Sequence, residues 1–415
     1  MSLISFNEIN IKYIISEASS IVAYAKYKRK NVCIKYNDSM SYTISPNILI
    51  EIEVMKNLAT NPCPYIIDIQ NVVLMNFDLG FTTKFIENKT LNDYIIKKIP
   101  IDFDDIFEQI QMGVAHLHNM GYIHRDIKPQ NILIDQKNKC IKIIDFGLIY
   151  YIHNIGINGN RKIAYKYNVQ TKGYQAPEII NMLPYSSKID TWNIGVIYAN
   201  YHIHQNDMDI TAIEYVDYII DPHIKSMLSV NPKLRPCLSH KYPSIYDKIV
   251  KLSPPYKPDI IDYMVSIHIE WKLCYETIAC AITIYCNTSR IMKEHMDMKT
   301  LALMCIDLSS CSFEDKPISE SALCDILSIT KELYFRLRVM FLEIIDFQYQ
   351  TQTFYDYMKI KKWKSRAMFY KCIHIITNLK IKVNNRMIFM EAKKLLGRNT
   401  SSIYPNLNEL LRIYI

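Results

Sequence analysis

Glycine is scarce in this chain: there are 9 in 415 residues, eight of them from Gly80 to Gly195 and the ninth at Gly397. Glycine serves tight turns and close backbone approaches, so the long interval without it after Gly195 favours helices. The 11 cysteines include no CxxC pair, and the opening MSLISFNEIN is no apolar leader. Both features favour reduced thiols in a chain that is not secreted, with a cytoplasmic or nuclear location, or the host cytoplasm for a viral chain. No run approaches 18 uncharged apolar residues, which excludes an apolar membrane-spanning helix and a membrane partner. Long basic blocks are also missing. The net charge of +8 is spread along the chain, giving a mildly basic solvated surface and no call for a nucleic-acid partner.

What is present suffices for a core, since 49% of residues are apolar, and the length predicts two or three domains. Ile, Tyr, Asn and Lys are abundant, the bias of AT-rich coding DNA. The first part alternates β-rich runs (NVCIKY, NVVLMNF, CIKIIDF) with helical patterns, and the part after Ser253 reads almost wholly helical. Between them, LSPPYKP at 252–258 breaks both helix and strand with its prolines.

The chemistry is concentrated in HRDIKPQN, 124–131. A carboxylate at Asp126 can accept a hydroxyl proton, Lys128 can neutralise a transferring phosphoryl group, and Asn131 can reach a metal. A hairpin, ILID then QKNK then CIKII, returns the chain to a second carboxylate at Asp145 in DFG. Asn131 and Asp145 then offer Mg2+ the oxygen ligands it requires. Placement and charge neutralisation are the main needs of phosphoryl transfer.

In the order of these motifs the sequence resembles the eukaryotic Ser/Thr protein kinases, and within them the cyclin-dependent kinases, in SPNILIE as well as HRDIKPQN. The resemblance implies an α+β fold class: a bilobal protein kinase fold followed by an all-α cyclin-box-like helical domain. It implies ATP and Mg2+ as cofactors and proteins as substrates. VCIK makes Lys35 the lysine of the α and β phosphates, and Glu51 its partner on a helix that Ser45 caps and Pro46 begins. Around the nucleotide the resemblance places Ile15 and Val22 in the lid, Cys33 and Leu133 on either side of the base, Thr83 as gatekeeper, and Lys84, Phe85 and Ile86 in the adenine-binding strand. Asp126, Lys128 and Thr171 become the catalytic residues, and Asn131 and Asp145 the metal ligands. Lys128 with Thr171 is the serine/threonine pattern. Glu178 of APE should pair with Arg235, with Asp190 and Trp192 behind the catalytic loop.

Three departures stand beside these matches. The lid, ISEASSIVAY, carries Ser16, Ala18 and Ile21 at the three glycine positions. No serine or threonine lies between Asp145 and Thr171, only Tyr150, Tyr151, Tyr165 and Tyr167; Lys166 holds the place of the activating phosphothreonine, and of its three arginine receptors only Arg125 remains. The C-lobe is short between Trp192 and Arg235, and Gln170 and Gln175 replace residues that help choose proline after the target hydroxyl. The weakened lid leaves an alternative open, a pseudokinase or scaffold that binds ATP and partners with little catalysis.

The helical half resembles a cyclin box in DIIDYMVSIHIEWKLCYETIACAITIYC at 259–286, in 301–315 and in 331–358. Ser312 and Arg338 stand where cyclins carry kinase-contacting residues, and Tyr256, Ile260 and Tyr263 where they carry a docking patch. The helix 46–58 is apolar around more of its circumference than one sheet can cover. The expected partner is therefore an intramolecular cyclin-like domain acting as a tethered activator, the alternative being a helical domain that only recruits substrates. The expected boundaries are a kinase domain at 1–246 (N-lobe 1–86, C-lobe 87–246), a linker at 247–258, a cyclin-like domain at 259–360 and a helical extension at 361–415.

Overall fold

The computed structural model describes residues 2–37, 44–151, 169–238 and 251–349, apart from 19, 77, 87, 88, 209 and 315, and scattered positions from 353 to 392. Tyr165, Lys166 and Tyr167, the end of the expected C-lobe (239–246), part of the linker and most of the extension lie outside the described residues. The chain divides into two compact units, residues 1–244 with 319–348 and residues 245–318 with 349–415.

The first unit opens with a sheet of six strands: β1 (Ser2–Ser5), β2 (Asn10–Glu17), β3 (Ile21–Tyr27), β4 (Lys30–Tyr36), β5 (Ile69–Leu74) and β6 (Leu79–Lys84). Their spatial order is β1-β5-β6-β4-β3-β2. Strand alternation separates two faces. Ala23, Ala25 and Tyr27 of β3 and Val32, Ile34 and Tyr36 of β4 are buried in one apolar cluster, which leaves Val22, Cys33 and Lys35 for the opposite face. β1 pairs parallel to β5 and the other pairings are antiparallel.

Helix α1 (Pro46–Ala59) begins with Pro46 in its first turn as expected. Ser45 differs from expectation: its hydroxyl makes no cap, and its backbone N–H donates instead to Asp78 Oδ1 at 3.1 Å. Asp78 is buried and a stronger acceptor than a hydroxyl, so it takes over the anchoring. Around α1 not only Ile48, Leu49, Ile52, Val54, Met55 and Leu58 but also Glu51, Glu53 and Lys56 are buried.

The lower part of the unit is helical: α2 (Leu91–Ile96), α3 (Phe103–Asn119), α4 (Pro177–Ile180), α5 (Lys188–Gln205) and α6 (Pro222–Met227). Short strands β7 (Tyr122–Ile123), β8 (Ile132–Asp135), β9 (Cys140–Ile143) and β10 (Tyr150–Tyr151) frame the loops between them, β8 and β9 forming the expected hairpin. Trp192, Val196 and Ala199 of α5 pack with Ile123, Val169, Ile179 and Tyr185. From Asn206 to Leu234 the described chain holds only α6 and short 3-10 turns, a pared-down C-lobe.

The second unit contains α7 (Asp259–Glu270), α8 (Tyr275–Met292) and α9 (Met298–Phe313). α8 lies along α9, and α7 packs on both. Ile260 is buried there while Tyr256 is exposed, so the expected docking positions do not form one apolar surface. The next helices, α10 (Glu320–Leu327) and α11 (Lys331–Ile344), group with the first unit. A last helix, α12 (Arg366–Thr377), belongs to the second. Among the described residues no helix is long and apolar enough to cross a membrane.

Candidate active site

A cavity of about 970 Å³ lies within the first unit, between the sheet and the helical part. From the sheet it receives Ile15, Val22, Cys33, Lys35 and Thr83, and from α1 it receives Glu51. Lys84, Phe85 and Ile86 line it where β6 leads away from the sheet, and Lys128, Asn131, Leu133, Asp145 and Thr171 line it from the loops around β8 and β9. Asp126 is not on the wall but is bonded to three residues that are. The residues expected around the nucleotide, the metal and the reacting hydroxyl thus meet in one place.

Two charge networks organise the cavity. In the first, Lys35 Nζ lies 2.7 Å from Glu51 Oε1 and 2.8 Å from Asp145 Oδ1. Burial would lower the lysine pKa, but the two carboxylates outweigh it and raise it. Burial pushes Glu51 up to about 7 against the pull of Lys35. Asp145 goes the other way: burial raises it, and Lys35 more than compensates, leaving it below the usual carboxylate range. One ammonium is thus shared by two carboxylates, of which Asp145 is the more readily ionised. Gly147 keeps the gap open, since a Cβ there would come within 3.3 Å of Glu51 Oε1.

In the second network, Asp126 Oδ1 accepts from Thr171 Oγ1 at 2.8 Å and from the Thr171 N–H at 3.0 Å. Asp126 Oδ2 lies 2.7 Å from Lys128 Nζ, which also reaches Thr171 Oγ1 at 2.7 Å. Asn131 Nδ2 donates to the Asp126 carbonyl at 2.9 Å and to its Oδ2 at 3.2 Å. A carboxylate fixed by four donors, a lysine among them, can orient a hydroxyl and take its proton.

The donor set fits Mg2+. The amide nitrogen of Asn131 is engaged with Asp126, which leaves its carbonyl oxygen for a cation, and Asp145 Oδ2 is left when Oδ1 takes Lys35. These are hard oxygen donors. Among the described residues no cluster of three or more His, Cys, Asp or Glu could hold a metal.

The scaffold beneath is buried. Asp190 accepts the N–H groups of His124 and Arg125, both at 2.9 Å, and lies 2.9 Å from His118 Nε2. It thereby holds Arg125 at a φ of 66°, a conformation Asp145 shares. Such strain costs about 1–3 kcal/mol per residue and persists only where neighbours impose it. Phe146 is fully buried, edge-on to His124. Glu178 and Arg235 form a bidentate pair at 2.6 and 2.8 Å, with the guanidinium over Trp192.

Arg125 is held by partners within the chain. Its Nε donates to the Leu148 carbonyl at 2.5 Å, its Nη1 to the Tyr185 hydroxyl at 3.1 Å, and its guanidinium sits over the Tyr150 ring. Tyr150 is the residue standing where the family carries a phosphate-binding arginine. With Ile50 and Tyr150 in place of the other two arginines, no arginine cluster is left beside Arg125 to call for an anion. The expected result of phosphatase treatment is therefore activity unchanged within about twofold; a larger loss in a peptide assay would show that another phosphorylated residue controls the site.

Several wall residues escaped the sequence reading. Met55 lies one turn beyond Glu51 and Phe81 two residues before Thr83, so helical and strand periodicity were available signals. Asp93 and Gln130 also line the cavity; Asp93 belongs to a capping box with Thr90, which TLND announces as a helix start and not as part of a binding site. Nothing in the sequence marked Ile67.

Residues 16–209 match the family model described as the protein kinase domain. Among curated relatives, 158 residues are 35% identical to the SNF1-related protein kinase catalytic subunit alpha KIN12 of Arabidopsis thaliana, covering 36% of this chain and 30% of that protein. Over 213 residues the chain is 31% identical to the maternal embryonic leucine zipper kinase of Xenopus tropicalis, covering 48% and 31%. Over 187 residues it is 30% identical to the carbon catabolite-derepressing protein kinase of Secale cereale, covering 43% and 36%. The chain spans about a third of the length of these relatives.

Proposed function

We propose that this chain, whose residues 16–209 match the protein kinase domain model, transfers the terminal phosphoryl group of Mg2+-bound ATP to serine or threonine hydroxyls of proteins. The observation that carries the reading is the pair of networks in one cavity, Glu51–Lys35–Asp145 and Asn131–Asp126–Lys128–Thr171. Lys35 is assigned to the α and β phosphates, with Glu51 fixing its ammonium. Asn131 and Asp145 are assigned to the metal, which when bound would neutralise phosphate charge. Asp126 orients the attacking hydroxyl and accepts its proton; Lys128 offsets charge on the transferring group. Cys33 and Leu133 pack on the base, beside Lys84 to Ile86.

The second part of the reading concerns α1. Whether Lys35 meets Glu51 depends on where α1 lies, and α10 and the residues just after α11 touch α1 or its approach at both ends. At the entry, the Ile44 N–H donates to Glu320 Oε1 at 3.4 Å, and the same carboxylate pairs with the buried Arg338. At the exit, Lys56 pairs with Asp346 and sits 5.2 Å from the centre of the Phe347 ring. These contacts support a tethered, cyclin-like activator working through residues 319–348 over a helical segment that only recruits substrates. A cyclin-dependent-kinase-like origin accords with SPNILIE and HRDIKPQN and belongs to the same proposal.

The test is transfer of labelled phosphate from Mg-ATP to a peptide library with each hydroxyl residue represented. The expected product is phosphoserine and phosphothreonine. A protein that binds Mg-ATP and labels nothing would favour the scaffold reading.

A further inference from the structure

Tyr24 is not part of the cavity wall, yet it joins two walls together. It sits on β3 directly opposite Tyr13 of β2 and Cys33 of β4, and Cys33 is opposite Thr83 of β6. Residues paired across antiparallel strands project to the same face, so Tyr13, Tyr24, Cys33 and Thr83 form one line across the cavity side of the sheet. The Tyr24 ring centre lies 5.1 Å from that of Tyr13 and 4.4 Å from that of Phe85. Its hydroxyl donates to Asn31 Oδ1 at 2.9 Å, and the carbonyl of the same Asn31 accepts from the Phe85 N–H at 3.4 Å. One side chain therefore ties the lid strand to the segment that follows β6.

The lid itself is irregular in a way that uses this tie. Pairing of β2 with β3 slips between Ile11 and Tyr13 and again between Ile14 and Ser16. A regular strand would show the cavity only every second residue, whereas Tyr13, Ile14, Ile15 and Ser16 all line it. The bulges re-aim those side chains. All three of Tyr13, Ile14 and Ile15 remain half-exposed, so packing beneath them does not hold the lid down, and no glycine at 16, 18 or 21 lets the backbone bend to fit a ligand.

We propose that Tyr13, Tyr24 and Phe85 form an aromatic brace that fixes the glycine-poor lid over the nucleotide cavity, with Tyr24 as a positioning residue for the nucleotide. The inference rests on the kinase reading above. The brace supplies by preorganisation what glycine supplies by adaptability: the lid is ordered before the nucleotide arrives, so less freedom is lost on binding.

The experiment measures Mg-ATP binding by calorimetry, kcat and KM for ATP, and the melting temperature of the nucleotide-free protein, for wild type, Tyr24→Leu and Tyr24→Phe. Two tilted ring contacts disappear in Tyr24→Leu, which corresponds to about a tenfold rise in Kd and KM, with kcat within about twofold. Tyr24→Phe keeps both rings and should stay within about threefold of wild type. Asn31→Ala is the milder second variant should Tyr24→Leu not fold, with an expected rise of about threefold. The brace is refuted if wild type binds Mg-ATP and both Tyr24→Leu and Asn31→Ala bind it equally well. It is also refuted if loss of affinity merely follows loss of melting temperature in all three variants. Failure of the wild type itself to bind Mg-ATP would remove the kinase reading along with the brace.

Discussion

Asp126→Asn should lower phosphoryl transfer by roughly 10²- to 10⁴-fold, the usual contribution of a positioned acid–base group, while Mg-ATP binds within about twofold of wild type. The carboxylate accepts from the Thr171 hydroxyl and N–H on one oxygen and faces Lys128 and Asn131 with the other. An asparagine matches its shape but must turn an NH2 toward donors on one side. The attacking hydroxyl then loses its acceptor, and Lys128 loses its counter-ion. Asp126 does not line the cavity wall, which is why nucleotide affinity should hardly change. The melting temperature should move by a few degrees at most, because the group is supported by Asp190 and the surrounding backbone rather than by its own ion pair alone. Equal label incorporation by wild type and variant would overturn the catalytic role and favour a nucleotide-binding scaffold. The measurement is initial rate at saturating ATP with calorimetric binding in parallel.

The kinase half was legible because its chemistry is local in sequence. HRDIKPQN places Asp126, Lys128 and Asn131 within one loop, and the β8–β9 hairpin that follows is short enough for turn residues to announce it. The strand VCIK shows its alternation openly, and Lys35 could be aimed at the cavity from that alone. Glu51 needed the assumption that its helix faces the sheet, which periodicity supported but did not compel, as its neighbours are apolar nearly all round. What could not be read were features that depend on distant partners. Ser45 fits a helix cap by residue type, yet Asp78 provides the anchoring. The aromatic line from Tyr13 to Phe85 depends on strand register, and the two bulges in β2 leave no composition signal.

The helical half shows the same limit more sharply. Amphipathic runs announced α7, α8, α9 and α11, but residues 319–348 group with the first unit; EDKP at 314–317 marks a break between helices and carries no sign that the chain changes unit there. Single contacts join them to α1 and its approach: Glu320 with the Ile44 N–H and Lys56 with Asp346. Arg338, expected from the cyclin resemblance to face the kinase half, is buried. Its charge is compensated within the α10–α11 pair, and the approach to α1 is made by Glu320 instead.

Breaking that clamp should uncouple Lys35 from Glu51 without touching either. Asp346→Lys sets two ammonium groups against each other at the exit of α1, where Lys56 is buried but Asp346 is 74% exposed. Solvent screens the pair, so its worth is discounted to about 1 kcal/mol, or roughly a fivefold fall in kcat/KM. Glu320→Ala acts at the entry, where both partners are shielded. It removes the acceptor of the Ile44 N–H and the carboxylate facing Arg338, and loss of one partner of a buried pair costs about 3–5 kcal/mol. Part of that cost falls on the packing of α10 and α11 and part on the position of α1. The double variant should therefore lose at least about a hundredfold in kcat/KM. Exchanging the charges, Lys56→Glu with Asp346→Lys, should return most of what Asp346→Lys alone removes, because the attraction is restored with its direction reversed. A structural defect unrelated to α1 would not be rescued by that exchange. Transfer rates with a saturating peptide substrate decide the matter: a double variant of Glu320→Ala and Asp346→Lys as active as wild type would leave α1 positioned by the sheet alone and the helical segment free for another task.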